Sequence, residues 1–183
     1  HRRRHSFPTR RSSDLGITSG YIPLGGIGVS DKVKAVINGV GPGQRWMHAF
    51  TYSGHPTCCA VALANIDILQ RESLVERSAE GGRRLLAKLR TLESLECVGH
   101  VRGQGLMAAV EVVADRATRA YFPASLGLSQ KLMDGMLERG LYTRAVMDCV
   151  CIAPPLMTSD ADLDRIVDIV GETIQDVVGK ARA

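Results

Sequence analysis

No run of about 18 apolar residues interrupts this sequence, which leaves no candidate for a membrane-crossing helix. The first residues are charged and have no apolar segment behind them, so no secretory pattern is read there. The five cysteines form no CxxC pair. Cys58 and Cys59 are adjacent, Cys149 and Cys151 are two apart, and Cys97 stands alone. That spacing fits buried thiols in a reducing, cytoplasmic setting better than a disulfide framework. The five histidines (positions 1, 5, 48, 55 and 100) lack a ligand rhythm, so no metal site is expected. The glycines at 25–28 lack the spacing of a dinucleotide fingerprint and open no long helix after a clean strand.

Charge of one sign is also missing where it would matter. The net charge is +4, and residues 1–15 account for all of it with five arginines against one aspartate. The remaining residues are formally neutral, which argues against a nucleic-acid partner for the folded body. Residues 1–15 have no apolar periodicity and are expected to be disordered. They read as foreign, resembling the conceptual translation of a sequencing adaptor at the broken edge of an assembled gene. The alternative is a genuine flexible arm. The character of the chain changes at Gly16.

What is present is a soluble-type composition, 45% hydrophobic over 183 residues, enough for one sizeable core or parts of two domains. The stretch Arg45–Ala60, R-W-M-H-A-F-T-Y-S-G-H-P-T-C-C-A, organises the rest. A threonine, a serine and a glycine crowd around Phe50 and Tyr52, and Pro56 stands where a helix can start without its missing N–H being felt. Such a loop is either an ordinary cap or a holder for an anion, through a hydroxyl and free backbone N–H groups. Ahead of it, 25–29 reads as a short strand, Ser30 and Asp31 as the cap of a helix over 32–37, and 38–43 as a turn-rich loop.

Behind it, 57–71 reads as a helix apolar on most sides and therefore buried. A second helix over about 73–91 is weakened by Gly81-Gly82, at roughly 1 kcal/mol each relative to alanine. From residue 95 the pattern is that of a compact α/β or α+β unit. Its strands are 97–101, 106–113, 141–143 and 150–153, with a turn at 102–105, a helix over 126–139 and a last helix capped by Ser159. The expected apolar face of that last helix is Leu163, Ile166, Val167, Val170, Ile174, Val177 and Val178.

Four ordered blocks carry a resemblance: G-I-T-S-G-Y-I-P-L-G-G-I-G-V-S (16–30), H-A-F-T-Y-S-G-H-P-T-C-C-A-V-A-L-A-N (48–65), V-R-G-Q-G-L-M-A-A-V-E (101–111) and G-L-Y-T-R-A-V-M-D-C-V-C-I-A-P-P-L (140–156). Together they resemble class III (omega) aminotransferases of fold-type I, pyridoxal-phosphate-dependent enzymes. The resemblance covers 16 to about 178. It implies an α/β fold in which this chain is a C-terminal portion. On that expectation 1–15 is the foreign or disordered tail and 16–72 the end of the large cofactor-binding domain. Residues 73–94 are then a connecting helix, and 95–183 a small C-terminal α/β domain.

The resemblance also implies chemistry. The family's catalytic lysine, which holds pyridoxal 5'-phosphate covalently, stands immediately before the G-[IL]-[ST]-[SG]-G-Y block; here that position is Leu15. Thr51 matches the threonine that binds the cofactor phosphate from the neighbouring subunit of a homodimer. Arg144 matches the arginine that grips a substrate carboxylate, a task suited to a planar bidentate guanidinium; otherwise it is a solvated loop arginine. Asp148 either orients Arg144 or caps a turn, and His55 organises its loop through its ring nitrogens. The implied function is transfer of an amino group between an amine or amino acid and a 2-keto acid, with the chain as written inactive. The alternatives are a fold-type I aminomutase or decarboxylase relative, or a non-catalytic binding protein without the lysine.

Overall fold

The computed structural model describes residues 10–13, 16–45, 47 and 50–182. They fall into two compact units that divide after Glu72. The first unit holds strands β1 (Arg10–Ser13) and β2 (Gly26–Val29), helix α1 (Asp31–Gly39), a 3-10 turn (Pro42–Gln44) and helix α2 (Pro56–Arg71). β1 and β2 pair antiparallel, Arg10 opposite Val29 and Ser13 opposite Gly26. Residues 10–13 thus form a strand where the sequence suggested disorder. A ladder is made by backbone groups, so a segment without apolar periodicity can still pair with the unpaired edge of β2. The rest of that expected tail, and Leu15 with it, lies outside the described residues.

Ser30 occupies the N-cap of α1, as expected, but the helix continues to Gly39, into the segment read as a loop. α2 begins at Pro56 with proline in its first turn. Its burial differs from expectation: only Ala62 is buried, while Leu63 is 68% exposed and Ile66 and Ile68 lie on the surface of the unit. One polar side chain ties the helix down. Asn65 Nδ2 donates to the carbonyls of Gly16 (3.3 Å) and Ile17 (3.0 Å), and Ser19 Oγ donates to Asn65 Oδ1 at 2.8 Å. The 16–22 turn is thereby fixed against the middle of α2.

The second unit is a four-stranded antiparallel sheet of order β3-β4-β6-β5, with β3 at Val98–Gln104, β4 at Met107–Val112, β5 at Arg144–Val146 and β6 at Cys149–Ile152. Helices α3 (Leu74–Leu89), α4 (Leu128–Glu138) and α5 (Asp160–Arg182) cover one face. Period-2 alternation decides which side chains meet them. Ala108, Val110 and Val112 of β4, Val150 and Ile152 of β6 and Ala145 of β5 are buried against Leu85, Leu89, Leu132, Met136, Val170 and Ile174. The apolar face read for the last helix is the one that packs, and Ser159 caps it: Asp162 N–H donates to Ser159 Oγ at 3.2 Å. α3, read as part of a connector, places Leu85 and Leu89 in this core.

Two strand boundaries move. β3 runs on through Gln104, and the hairpin turn is Gly105-Leu106, three residues past the expected start, with Gly105 at φ +56°. A positive φ at the first turn residue belongs to the tight hairpin turns that match strand twist. The expected strand 141–143 is irregular and β5 begins at Arg144, because the Thr143 hydroxyl is turned to the Cys151 carbonyl before the ladder starts. The Gly81-Gly82 pair in α3 has its reason in packing. A Cβ on Gly82 would lie 2.2 Å from the Gly105 carbonyl oxygen, so α3 meets the hairpin turn backbone to backbone.

Candidate functional site

In the first unit, Thr51 sits in the turn Thr51–Gly54 that feeds α2. Ser53 closes it: Ser53 N–H donates to the Phe50 carbonyl and Phe50 N–H donates to Ser53 Oγ, each at 2.9 Å. Gly54 at φ +67° and the His55 N–H to Tyr52 carbonyl bond (3.2 Å) complete the reversal. Thr51, Phe50 and Tyr52 are left exposed. His55 is the N-cap of α2, and its ring stands 6.1 Å from that of Tyr52. Among the described residues His55 Nδ1 is buried without a hydrogen-bond partner, while Ser53 makes the bonds that close this loop.

The chemistry of this loop suits an anion. The first turn of α2 holds no acidic residue, Pro56 has no N–H to give, and the N–H groups of Thr57 and Cys58 have no acceptor inside the helix. With the Thr51 hydroxyl these are donors that an anion could use, and the first turn of α2 sets no carboxylate against them. Leu15, at the position where the resemblance puts a lysine, is outside the described residues.

In the second unit, Arg144 is the first residue of β5 and is exposed, with Ala145 turned the other way into the core. Register sets its neighbours: Arg144 is opposite Cys151, Cys151 opposite Ala109, and Ala109 opposite Arg102. Four residues thus form one row across the face opposite α3, α4 and α5, with small side chains between two arginines. A cleft of about 610 Å³ takes in Arg144, Cys151, Tyr142, Met133 and Leu137. Asp148 does not reach for Arg144. It closes the β5–β6 hairpin, accepting from Ser129 Oγ and returning its own N–H to that oxygen, both at 2.9 Å, with Met147 at φ +50° and Asp148 at φ +57°.

The next row holds a polar network that the sequence did not reveal. Tyr121 OH donates to Glu111 Oε1 at 2.5 Å, and Arg102 Nη1 approaches Glu111 Oε2 at 3.1 Å. Arg102 Nη2 also donates to Cys149 Sγ at 3.4 Å. The Tyr121 hydrogen bond, with Arg102 behind it, holds the Glu111 carboxyl below the usual range, and the same hydrogen bond and the Glu111 charge push the Tyr121 phenol up. Only the pairing of β3 with β4 and the return of the 115–122 loop bring these groups together, and neither leaves a local sequence signal.

Comparison with known proteins adds findings of three kinds. The family described as aminotransferase class-III matches residues 13–174. Putrescine–pyruvate aminotransferase of Pseudomonas aeruginosa is 39% identical over 84% of this chain and 33% of its own length. Diaminobutyrate–2-oxoglutarate transaminase of Halomonas elongata is 40% identical over 83% of the chain and 33% of its own length. Among solved structures, an (S)-enantioselective omega-transaminase from Thermomicrobium roseum aligns with TM-score 0.86 at 45% identity, covering 93% of this chain and 38% of that one. A transaminase from the marine bacterium Virgibacillus aligns with TM-score 0.87 at 39% identity, covering 95% and 40%. The chain spans about a third of the length of the curated relatives it matches.

Proposed function

Because the chain belongs to the class III aminotransferase family, an α/β family of fold-type I, we propose that it is the C-terminal portion of an enzyme that moves an amino group between an amine or amino acid and a 2-keto acid. Pyridoxal phosphate is the cofactor of that family. When bound, it supplies the electron sink for proton transfer at the carbon bearing the amino group.

The observation that carries the reading is the acid-free turn at Thr51 running straight into the start of α2. Thr51 binds the cofactor phosphate with its hydroxyl and N–H, each a charge-assisted donor, and does so across a homodimer interface. Arg144 holds the substrate carboxylate with two parallel hydrogen bonds and so orients the amino group for transfer. Support for Arg144 comes from its exposure at one end of a row whose interior residues, Ala109 and Cys151, are small enough to admit a ligand. Residues 16–72 belong to the large domain on this reading, 73–94 to a connecting helix and 95–183 to the small domain. Five cysteines, none of them in a disulfide, fit a cytoplasmic setting.

Leu15 occupies the position of the lysine, so the chain as written is inactive on this account. That same leucine favours a second reading, a non-catalytic relative that binds without transferring. Amino-group transfer assayed with the complete gene product separates the two. The first reading expects turnover that depends on added pyridoxal phosphate and falls with Thr51→Val; the second expects none under any cofactor load.

A further inference from the structure

The open face of the sheet carries a pair of thiols that the proposed reaction does not use. Cys149 and Cys151 are two apart on β6, so both project to the face opposite Val150 and Ile152, which are buried. Both are half-buried and neither is in a disulfide. Cys151 leans back along its strand: its Sγ donates to the Cys149 carbonyl at 3.7 Å. Cys149 Sγ accepts from Arg102 Nη2 at 3.4 Å, which places a fixed positive charge beside any thiolate formed there. On the β4 side Ala109, the neighbour of Cys151, is small and the Glu111 carboxylate is engaged by Tyr121 and Arg102; on the β5 side Arg144 stands opposite Cys151 and Val146 opposite Cys149.

We propose that Cys149 and Cys151 form a two-thiol site that captures a soft, thiophilic Lewis acid, of which a monosubstituted trivalent arsenical is the type ligand. The donor set selects this class. Among the described residues no group of three His, Cys, Asp or Glu could hold a metal ion, so a tetrahedral zinc site is not built here. Soft centres that prefer sulfur need only two thiolates. Burial pushes the Cys149 thiol up, so it stays protonated at neutral pH and alkylates slowly. A thiophilic centre that displaces both protons does not need a preformed thiolate. With phenylarsine oxide the exchange balances: two As–S bonds replace the bonds to oxygen, the two thiol protons leave with that oxygen as one water, and arsenic stays trivalent.

The site lies against Arg144, the strand partner of Cys151. Resting on the carboxylate role proposed above, an arsenical held there obstructs the substrate carboxylate.

The test is titration of the full chain with phenylarsine oxide, followed by native mass spectrometry and peptide mapping. The site predicts one adduct bridging Cys149 and Cys151, two thiols lost per arsenic, and release by a small dithiol but not by a monothiol. Cys149→Ala or Cys151→Ala should each weaken capture by about a hundredfold or more, the chelate advantage of two linked ligands over one. Cys58→Ser/Cys59→Ser, which removes the other close pair, should leave it unchanged. An adduct mapped to Cys58 and Cys59, capture with a single thiol lost, or no adduct overturns the proposal, and the wild-type map decides this even if a variant fails to fold. In the complete enzyme the adduct should raise KM for a carboxylate substrate. An adduct that forms without that effect counts against Arg144 as carboxylate ligand and leaves the dithiol site standing.

Discussion

At the scale of single residues the account turns on Thr51, Arg144 and Met147. Losing one charge-assisted hydrogen bond to a phosphate costs about 1.5–3 kcal/mol, so Thr51→Val should weaken pyridoxal phosphate binding to the complete enzyme by roughly 10- to 150-fold, measured as cofactor release on dialysis. Arg144→Lys keeps the charge and loses the bidentate fork. It should raise KM for carboxylate-bearing substrates about tenfold and leave a simple amine unaffected, a split that a solvated loop arginine would not produce. Met147 tests the hairpin. It holds φ +50° and is 75% exposed, so its side chain gains little packing while its backbone sits in the left-handed region. Met147→Gly should raise stability by about 1 kcal/mol, read as a higher Tm. Thr51 and Arg144 could be proposed from the sequence because their residue types stand inside recognisable blocks. Asn65, Glu111 and Tyr121 were not, since each acts through a partner that folding brings near: Asn65 through the backbone at 16 and 17, Tyr121 through Glu111 ten residues away.

Among the elements, α3 shows where propensity and packing disagree. Helix propensity alone says Gly82→Ala stabilises by about 1 kcal/mol. The added Cβ would sit 2.2 Å from the Gly105 carbonyl oxygen, backbone that cannot rotate away. Overpacking of that kind costs about 1–3 kcal/mol, so a lowered denaturation midpoint is expected and a raised one would refute the close approach. Periodicity located α2, α4 and α5 and the buried face of α5 in the sequence. It missed the start of β5 and the end of β3, where a side chain and a glycine turn set the boundary rather than hydrophobic pattern. The burial expected for α2 failed for a different reason: an apolar sequence records what a helix is built to meet, and among the described residues of its own unit α2 buries only Ala62 while Asn65 holds it to the 16–22 turn.

For the molecule as a whole, the second unit is closed at the surface by ions that join α3 to α5. Arg84 Nη2 and Lys88 Nζ reach Asp164 at 2.6 and 2.9 Å, and the Arg84 and Lys88 hydrogen bonds hold the Asp164 carboxyl down at about 2. A carboxyl depressed in the folded state contributes stability that is fully present above its unfolded value of 3.8 and is lost as pH falls toward 2. Asp176, held down by Lys180 and Arg139, adds to the same window. Acid unfolding should therefore steepen between about pH 4 and 2, and Asp164→Asn should flatten that limb by lowering stability near neutrality while leaving it little changed near pH 2; an unaltered limb would show that Asp164 does not contribute to it. The family was legible in the four blocks, and the residue before Gly16 is where the functional reading is most exposed. The measurement that tests it directly is the nucleotide sequence of the source gene across the codons for Asp14, Leu15 and Gly16 and onward upstream. The account predicts a lysine codon before Gly16, preceded by a long open frame of α/β sequence. A genuine leucine codon behind a genuine start would contradict it and leave a chain that binds without transferring.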